Sequence, residues 1–404
     1  MNALEGINVV DFTRDVAGPN CTKLLADFGA DVVKVEPPEG DPSRNMPPFV
    51  ADLPGVDRSL LYLHLNTNKR SITVDRTTAR GQQLLRALIA DAHVVVEDCD
   101  PGELATVGLD YDTLAEGHAN LVYASITPWG QTGPYARMKL RSSELILQAM
   151  GGPVIQTGAA DREPLKLGGN VALMQAGIVA AFGIVSAVLR AEAGGGGDHV
   201  DVSIYETQAG TRDRRTTYLT SYAYQGHPGK RVAGTGLSLI GGVRPCLDGY
   251  VNLLALGPAR TNQFVDMIGR PDLVDDARML QSPTTIDPAF VEQVQASFLG
   301  WLMQHTKREI VAEAQRRGLI AGAINTPADL VSDPHYRERG VWETVDHPET
   351  GPVEYPGRPF RMSATPRPAA RAAPRLGEHN AEVLAERCGI EPSELPALRA
   401  SGVI

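Results

Sequence analysis

The sequence predicts an α/β protein with a large domain on a parallel sheet and a smaller α+β domain after it. Three observations predict this. Apolar runs of four to six residues alternate with helical stretches through the first half, the pattern of βαβ units. The texture changes near residue 225, where a Gly-rich connection leads into a hairpin signal and three helices. A chain of 404 residues is also long for one ordinary core, so two domains are expected.

The elements follow in order. "INVVDF" (7–12) reads as a buried strand, and a turn at Ala17-Gly18-Pro19 opens a helix through Ala26. "DVVKVE" (31–36) and "RSITVD" (70–75) are the next strands. Helix 78–90, strand "HVVVED" (93–98) and strand "LVYASIT" (121–127) continue the alternation. A long apolar helix over 171–193 stops at the glycines 194–197, and "HVDVSIYETQ" (199–208) resumes as strand and then helix. Residues 226–236 are the Gly-rich connection, and 241–256 reads as a hairpin turning at Asp248-Gly249. Helices are expected near 259–268, 289–304 and 306–317. Past about 330 the chain is rich in Pro and Arg. The helix at 379–389 and the apolar end mark it as an extended strap with a docked terminus. The domains are therefore 1–224, 225–328 and a strap, 329–404.

Composition excludes several classes. The net charge of −10 argues against nucleic acid, which needs a basic face. Cys21, Cys99, Cys246 and Cys388 are scattered, with neither a metal-ligand spacing nor a disulfide framework, so no metal and a reducing cytoplasm are expected. The opening residues lack the pattern of a signal peptide. Residues 171–189 are uncharged for 19 positions, long enough to span a membrane. With no aromatic belt and no second such segment, a buried core helix is the expectation, with no membrane partner.

Longer motifs carry a resemblance. "LEGINVVDFTRDVAGPNCTKLLADFGADVVKVEPPEGDPSR" (4–44), "LNTNKRSITVD" (65–75), "GLDYDTL" (108–114), "NLVYASITPWGQTGPYA" (120–136), "LQAMGG" (147–152) and "APRLGEHNAEVL" (373–384) run the length of the chain. Together they resemble the family III CoA-transferases, which include formyl-CoA transferase, carnitine CoA-transferase and α-methylacyl-CoA racemase. The resemblance implies a Rossmann-like large domain, a dimer of two interlocked rings, and a strap returning to the large domain. It implies coenzyme A or an acyl-CoA as substrate, with no tightly bound cofactor, and a carboxylic acid as the other small-molecule partner.

It also implies site residues. The transferases use an aspartate that attacks the acyl-CoA thioester. Set on Gly177 and Gly183, that position is Leu173 in this chain. The racemases' His–Asp pair falls on Ser143 and Glu144. Asp161 would serve only through a twelve-residue shift of register. Glu144 is thus the one acid near the site by family position. It reads either as a first-turn carboxylate of its own helix or as a base or nucleophile from the opposite wall. The positions implied for CoA are Val16, Ala17, Lys34, Asn66, Lys69, Arg70 and Arg141. Asp100 stands where the family places arginine, and Thr106 where another cation often meets phosphate. Arg14 and Asp15 replace the usual His or Gln.

Three functions fit this pattern. One is a CoA-thioester enzyme with diverged chemistry, a racemase or isomerase included. The second is a non-catalytic subunit pairing with an Asp-bearing paralogue instead of forming a homodimer. The third is a protein that binds a ligand other than CoA.

Overall fold

The computed structural model describes residues 2–210, 214–227, 239–281, 285–365 and 369–404. Most of the predicted Gly-rich connection lies outside them. Two compact units are present. One comprises Met1–Val154, Lys166–Ala223 and Glu338–Ile404; the other comprises Ile155–Leu165 and Tyr224–Arg337.

The first unit holds a six-stranded sheet: β1 (Asn8–Asp11), β2 (Asp31–Glu36), β3 (Arg70–Thr73), β4 (Val94–Glu97), β5 (Val122–Thr127) and β6 (Asp198–Ser203). Every pairing is parallel, in the order β3-β2-β1-β4-β5-β6. This is the doubly wound order, which reverses direction between β1 and β4. Helices cover both faces, so β1 to β5 are almost wholly buried, polar Lys34, Arg70, Ser71 and Thr73 included. Alternate side chains feed two cores. Val9, Val32 and Val94 face one side, with Cys21 and Leu25 of α1 (Ala17–Asp27). Val10, Val33 and Val95 face the other, with Leu84, Leu85 and Leu88 of α2 (Ala79–Ile89).

Two further helices matter for the site, α3 (Glu144–Met150) and α4 (Val171–Arg190). By length and composition, Val171–Gly195 could cross a membrane. Here Ala172, Ala176, Ala180 and Ile184 bury one side of it in the unit. Small residues let α4 lie close on α1. A Cβ at Gly177 would stand 2.5 Å from the Ala17 carbonyl oxygen and 2.9 Å from Asn20 Nδ2. Asn20 Nδ2 also donates to the Met174 carbonyl at 2.9 Å.

The C-terminal residues pack on the sheet edge at β3. Asn380, first residue of α5 (Asn380–Cys388), accepts from the Thr73 N–H at 2.8 Å, and Asp75 N donates to the Val403 carbonyl at 2.8 Å. The Pro-rich stretch ahead of it contains an antiparallel hairpin, β10 (Trp342–His347) with β11 (Gly351–Pro356). The second unit carries the antiparallel sheet β7 (Val243–Cys246), β8 (Gly249–Leu254) and β9 (Ile320–Ala323). With Cys246 opposite Gly249, the tight turn falls on Leu247-Asp248, one residue before the predicted Asp248-Gly249. Helices Pro258–Met267, Pro288–Leu302 and Lys307–Arg316 accompany that sheet. Their core includes Phe264 edge-on to Phe298, with ring centres 4.8 Å apart.

Candidate active site

Asn170, at the cap position of α4, offers no side-chain cap. The open N–H groups are met from another helix. Glu144 Oε1 accepts from Ala172 N at 2.8 Å, and Oε2 accepts from Leu173 N at 3.2 Å. Gln148, one turn further along α3, donates to Glu144 Oε1 at 2.6 Å and accepts from Leu167 N at 2.9 Å. A carboxylate is well placed there, against the positive end of a helix dipole. Its own helix is capped by Ser143, whose hydroxyl accepts from Ile146 N. Glu144 is therefore a cap for α4, a role that neither sequence reading contained. Both of its oxygens are engaged. The Leu173 side chain, half-buried, joins the apolar cluster beneath α4.

The turn between β1 and α1 is the second part of the site. Asp11 anchors its start, accepting from Thr13 N at 2.9 Å and Thr13 Oγ1 at 2.5 Å. Lys34 Nζ donates to the Thr13 carbonyl at 2.7 Å and pairs with Asp41 at 2.7 Å. Lys69 Nζ donates to the Pro19 carbonyl, Thr22 Oγ1, Asp11 Oδ2 and Asn66 Oδ1 at 2.8–3.1 Å. Both ammonium groups are wholly buried, so they clamp the two ends of segment 13–19 from inside. Burial alone would raise the Asp11 carboxyl, but Lys69 and Lys34 hold it at about 2. Burial pulls Lys69 down to about 8 against the attraction of Asp11. Arg70 spans Asp31, Glu382 and Glu386, tying β2 and β3 to α5.

The residues expected around CoA thus separate. Lys34, Asn66, Lys69 and Arg70 are buried, and the charged groups among them are already paired. Val16 and Ala17 form the start of α1, where no side chain caps the helix. Arg141 is exposed just before α3. Asp161 is exposed and belongs to the second unit.

Outside the carboxyl ends of the strands lies a cavity of about 310 Å³, over Phe12, Val35 and Val74, rimmed by Arg14, Glu39, Asp75 and Arg76. Arg14 N donates to Asp98 Oδ2 at 2.7 Å, and its guanidinium lies 3.6 Å from Oδ1. Burial lifts the Asp98 carboxyl to about 8, despite the N–H and guanidinium of Arg14. Arg76 pairs with Glu103 and donates to Cys99 Sγ. Sequence reasoning passed over Asp98; the available signal was a carboxylate ending a buried valine strand, "VVVED".

Comparison with known proteins agrees with this architecture. The family model for CoA-transferase family III matches residues 4–380. The chain belongs to that family. It is 33% identical to the succinate–glutarate CoA-transferase of Agrobacterium fabrum, over 97% of this chain and 98% of that protein. It is 31% identical to subunit BbsE of the succinyl-CoA:(R)-benzylsuccinate CoA-transferase of Thauera aromatica, over 98% of this chain and 97% of that one. The crystal structure of a CaiB/BaiF family protein from Brucella suis superposes with a TM-score of 0.85 at 32% identity, covering 96% of this chain and all of that one. As a family III CoA-transferase chain, it has Leu173 and the Glu144 cap at the start of α4, where a thioester-attacking carboxylate was sought.

Proposed function

We propose that this chain is the non-nucleophilic subunit of a two-chain family III CoA-transferase acting on the CoA thioester of a carboxylic acid. One observation carries the reading. The acid nearest the family's nucleophile position, Glu144, spends both oxygens on Ala172 N, Leu173 N and Gln148. A carboxylate tied to two backbone N–H groups and a neighbouring amide is held in place and is a weaker nucleophile toward a thioester. In this reading the second chain brings that carboxylate. This chain supplies a wall of the site: the start of α1, the start of α4 and exposed Arg141. Lys34 and Lys69 act as positioning residues for the 13–19 turn. The Thauera relative is named as one subunit of its enzyme, which supports such a division of labour.

The test is covalent trapping. The purified chain is incubated with succinyl-CoA and other acyl-CoA donors, treated with hydroxylamine or borohydride, and weighed intact. The expected result is no adduct. Co-expression with a family III chain carrying Asp at the Leu173 position should yield a complex with an adduct on that second chain. An adduct mapped to Glu144 would establish the second reading, a single-chain enzyme with a substitute nucleophile. That reading draws on the partial exposure of Glu144.

A further inference from the structure

In a doubly wound sheet, ligands bind outside the carboxyl ends of the strands, where the strand order reverses. In this chain that crevice has an apolar floor, and most charges on its rim are already spent. Arg76 pairs with Glu103 and donates to Cys99 Sγ. Asp75 accepts from Thr77 N and Oγ1, and Glu36 is buried on Arg44. Arg14 is different. Its side chain lines the cavity and is 40% exposed, and among the described residues its guanidinium donates no hydrogen bond. Its ion-pair neighbour is Asp98, and the approach is long, 3.6 Å from Nε to Oδ1. That Oδ1 is buried and accepts no hydrogen bond, while Oδ2 takes the Arg14 N–H at 2.7 Å.

An open guanidinium fork matches the oxygens of a phosphate or a carboxylate. Asp98 decides how free the fork is. Burial keeps its carboxyl protonated up to about 8, so at neutral pH it sets no charge against Arg14. The charged groups facing Asp98 are Arg14 from the turn after β1, Lys34 from β2 and Glu97 from β4. Those facing Arg14 besides Asp98 are Asp15, Cys99 and Glu103. Lys34 is committed to Asp41 and Glu103 to Arg76. We infer that Arg14 is the specificity-determining cation of this crevice, taking a substrate oxyanion, a phosphate of CoA or the carboxylate of the acid, and that ionised Asp98 competes for it. The inference rests on the CoA-thioester reading above, which brings those two oxyanions to the chain.

The experiment is calorimetric titration of the full chain at pH 7 and pH 9 with adenosine 3′,5′-bisphosphate, with adenosine and with succinate. Phosphate monoesters lose their second proton near about 6, so the charge of the ligand is steady over this range. With Asp98 titrating near 8, the native chain should bind the gripped oxyanion about tenfold more weakly at pH 9 than at pH 7. Adenosine should show no such change. Asp98→Asn should hold at pH 9 the affinity that the native chain has at pH 7. Arg14→Gln keeps the backbone N–H donated to Asp98. It should lose at least about tenfold at pH 7 and show no pH dependence, and Arg14→Lys should recover part of the loss. A pH-sensitive response to the bisphosphate alone identifies the phosphate, and to succinate alone the carboxylate; each supports the inference. Unchanged binding in Arg14→Gln would overturn it, as would equal pH dependence in the native chain and Asp98→Asn, or no binding of either anion. If Asp98→Asn does not fold, the native and Arg14→Gln profiles decide. Adduct formation by the native chain would defeat the two-chain reading and leave this grip standing, so the two failures are distinguishable.

Discussion

Glu144 joins two helices through one carboxylate. Removing it as Glu144→Ala leaves Ala172 N and Leu173 N without a partner. The expected loss is about 0.5–2 kcal/mol, the range for a helix cap, read by urea denaturation. Glu144→Gln keeps one acceptor and should lose less. Equal stability of native chain and alanine variant would remove the cap from the account. The link was hidden in the sequence because donor and acceptor lie 28 residues apart. Only the Glu144-Gln148 spacing of four hinted at a shared task. Lys69 poses a different case. Cations at 34, 69, 70 and 141 matched the chemistry of phosphate binding, and nothing in the string told buried from open. In Lys69→Ala the buried Asp11 loses a charge partner, and a loss of ~3–5 kcal/mol is expected on the same assay. Asp98 gives a pH signature. Its folded carboxyl titrates near 8 and its unfolded one near 3.8. The folded state therefore keeps a proton that the unfolded state has released between those values. Stability from this group is fully present below the lower value and is lost as pH rises toward 8. Asp98→Asn has no such loss. The Tm of the variant should exceed the native Tm by a margin that widens from pH 5 to pH 8. A constant margin would mean that Asp98 is ionised in the fold throughout.

The elements were more legible than the contacts between them. Strands β1, β2 and β4 read directly because both of their faces are covered, which leaves adjacent valines, while β3 and β5 read from their β-branched residues and their place in the alternation. The hairpin of β10 and β11 was missed. Its alternation buries Val345, His347 and Tyr355, but prolines and arginines around it masked the period. Gly177 and Gly183 were visible as a pair, but their unequal roles were not. Gly177 faces the backbone of α1, whereas a Cβ at Gly183 meets only Val200 Cγ1, at 2.9 Å. A side-chain methyl can turn aside, but a carbonyl at the start of a helix cannot. Gly177→Ala should therefore cost about 1–3 kcal/mol, as overpacking does, and Gly183→Ala distinctly less. Thermal melts of the two variants give the order. If Gly183→Ala is the worse of the two, the close approach of α1 and α4 is not what Gly177 serves.

At the scale of the molecule, α4 buries one side and leaves another bare. Phe182 is 77% exposed, Leu189 61% and Ile178 52%. Phe182 and Ile178 border an apolar groove of about 650 Å³ that runs over Leu4, Leu24, Phe28 and Phe360. Monomers seldom keep so continuous an apolar surface open to water. The interlocked dimer that the family resemblance implies would provide a cover, a second chain threaded through the first. If two chains bury this face together, folding and association are one equilibrium, and the melting temperature must climb with protein concentration. The native chain alone should therefore scatter light as a homodimer down to submicromolar concentration, with a concentration-dependent Tm. An Asp-bearing family III partner should exchange into the pair and displace one copy. Phe182→Asp places a charge at the centre of the apolar face, and it should lower Tm most at low concentration, where dissociation is favoured. A native chain that runs as a folded monomer, with a Tm independent of concentration, would show that α4 carries its bare side unaided. The two-chain reading of the active site would then lose its physical basis, because no second carboxylate would be brought to Leu173.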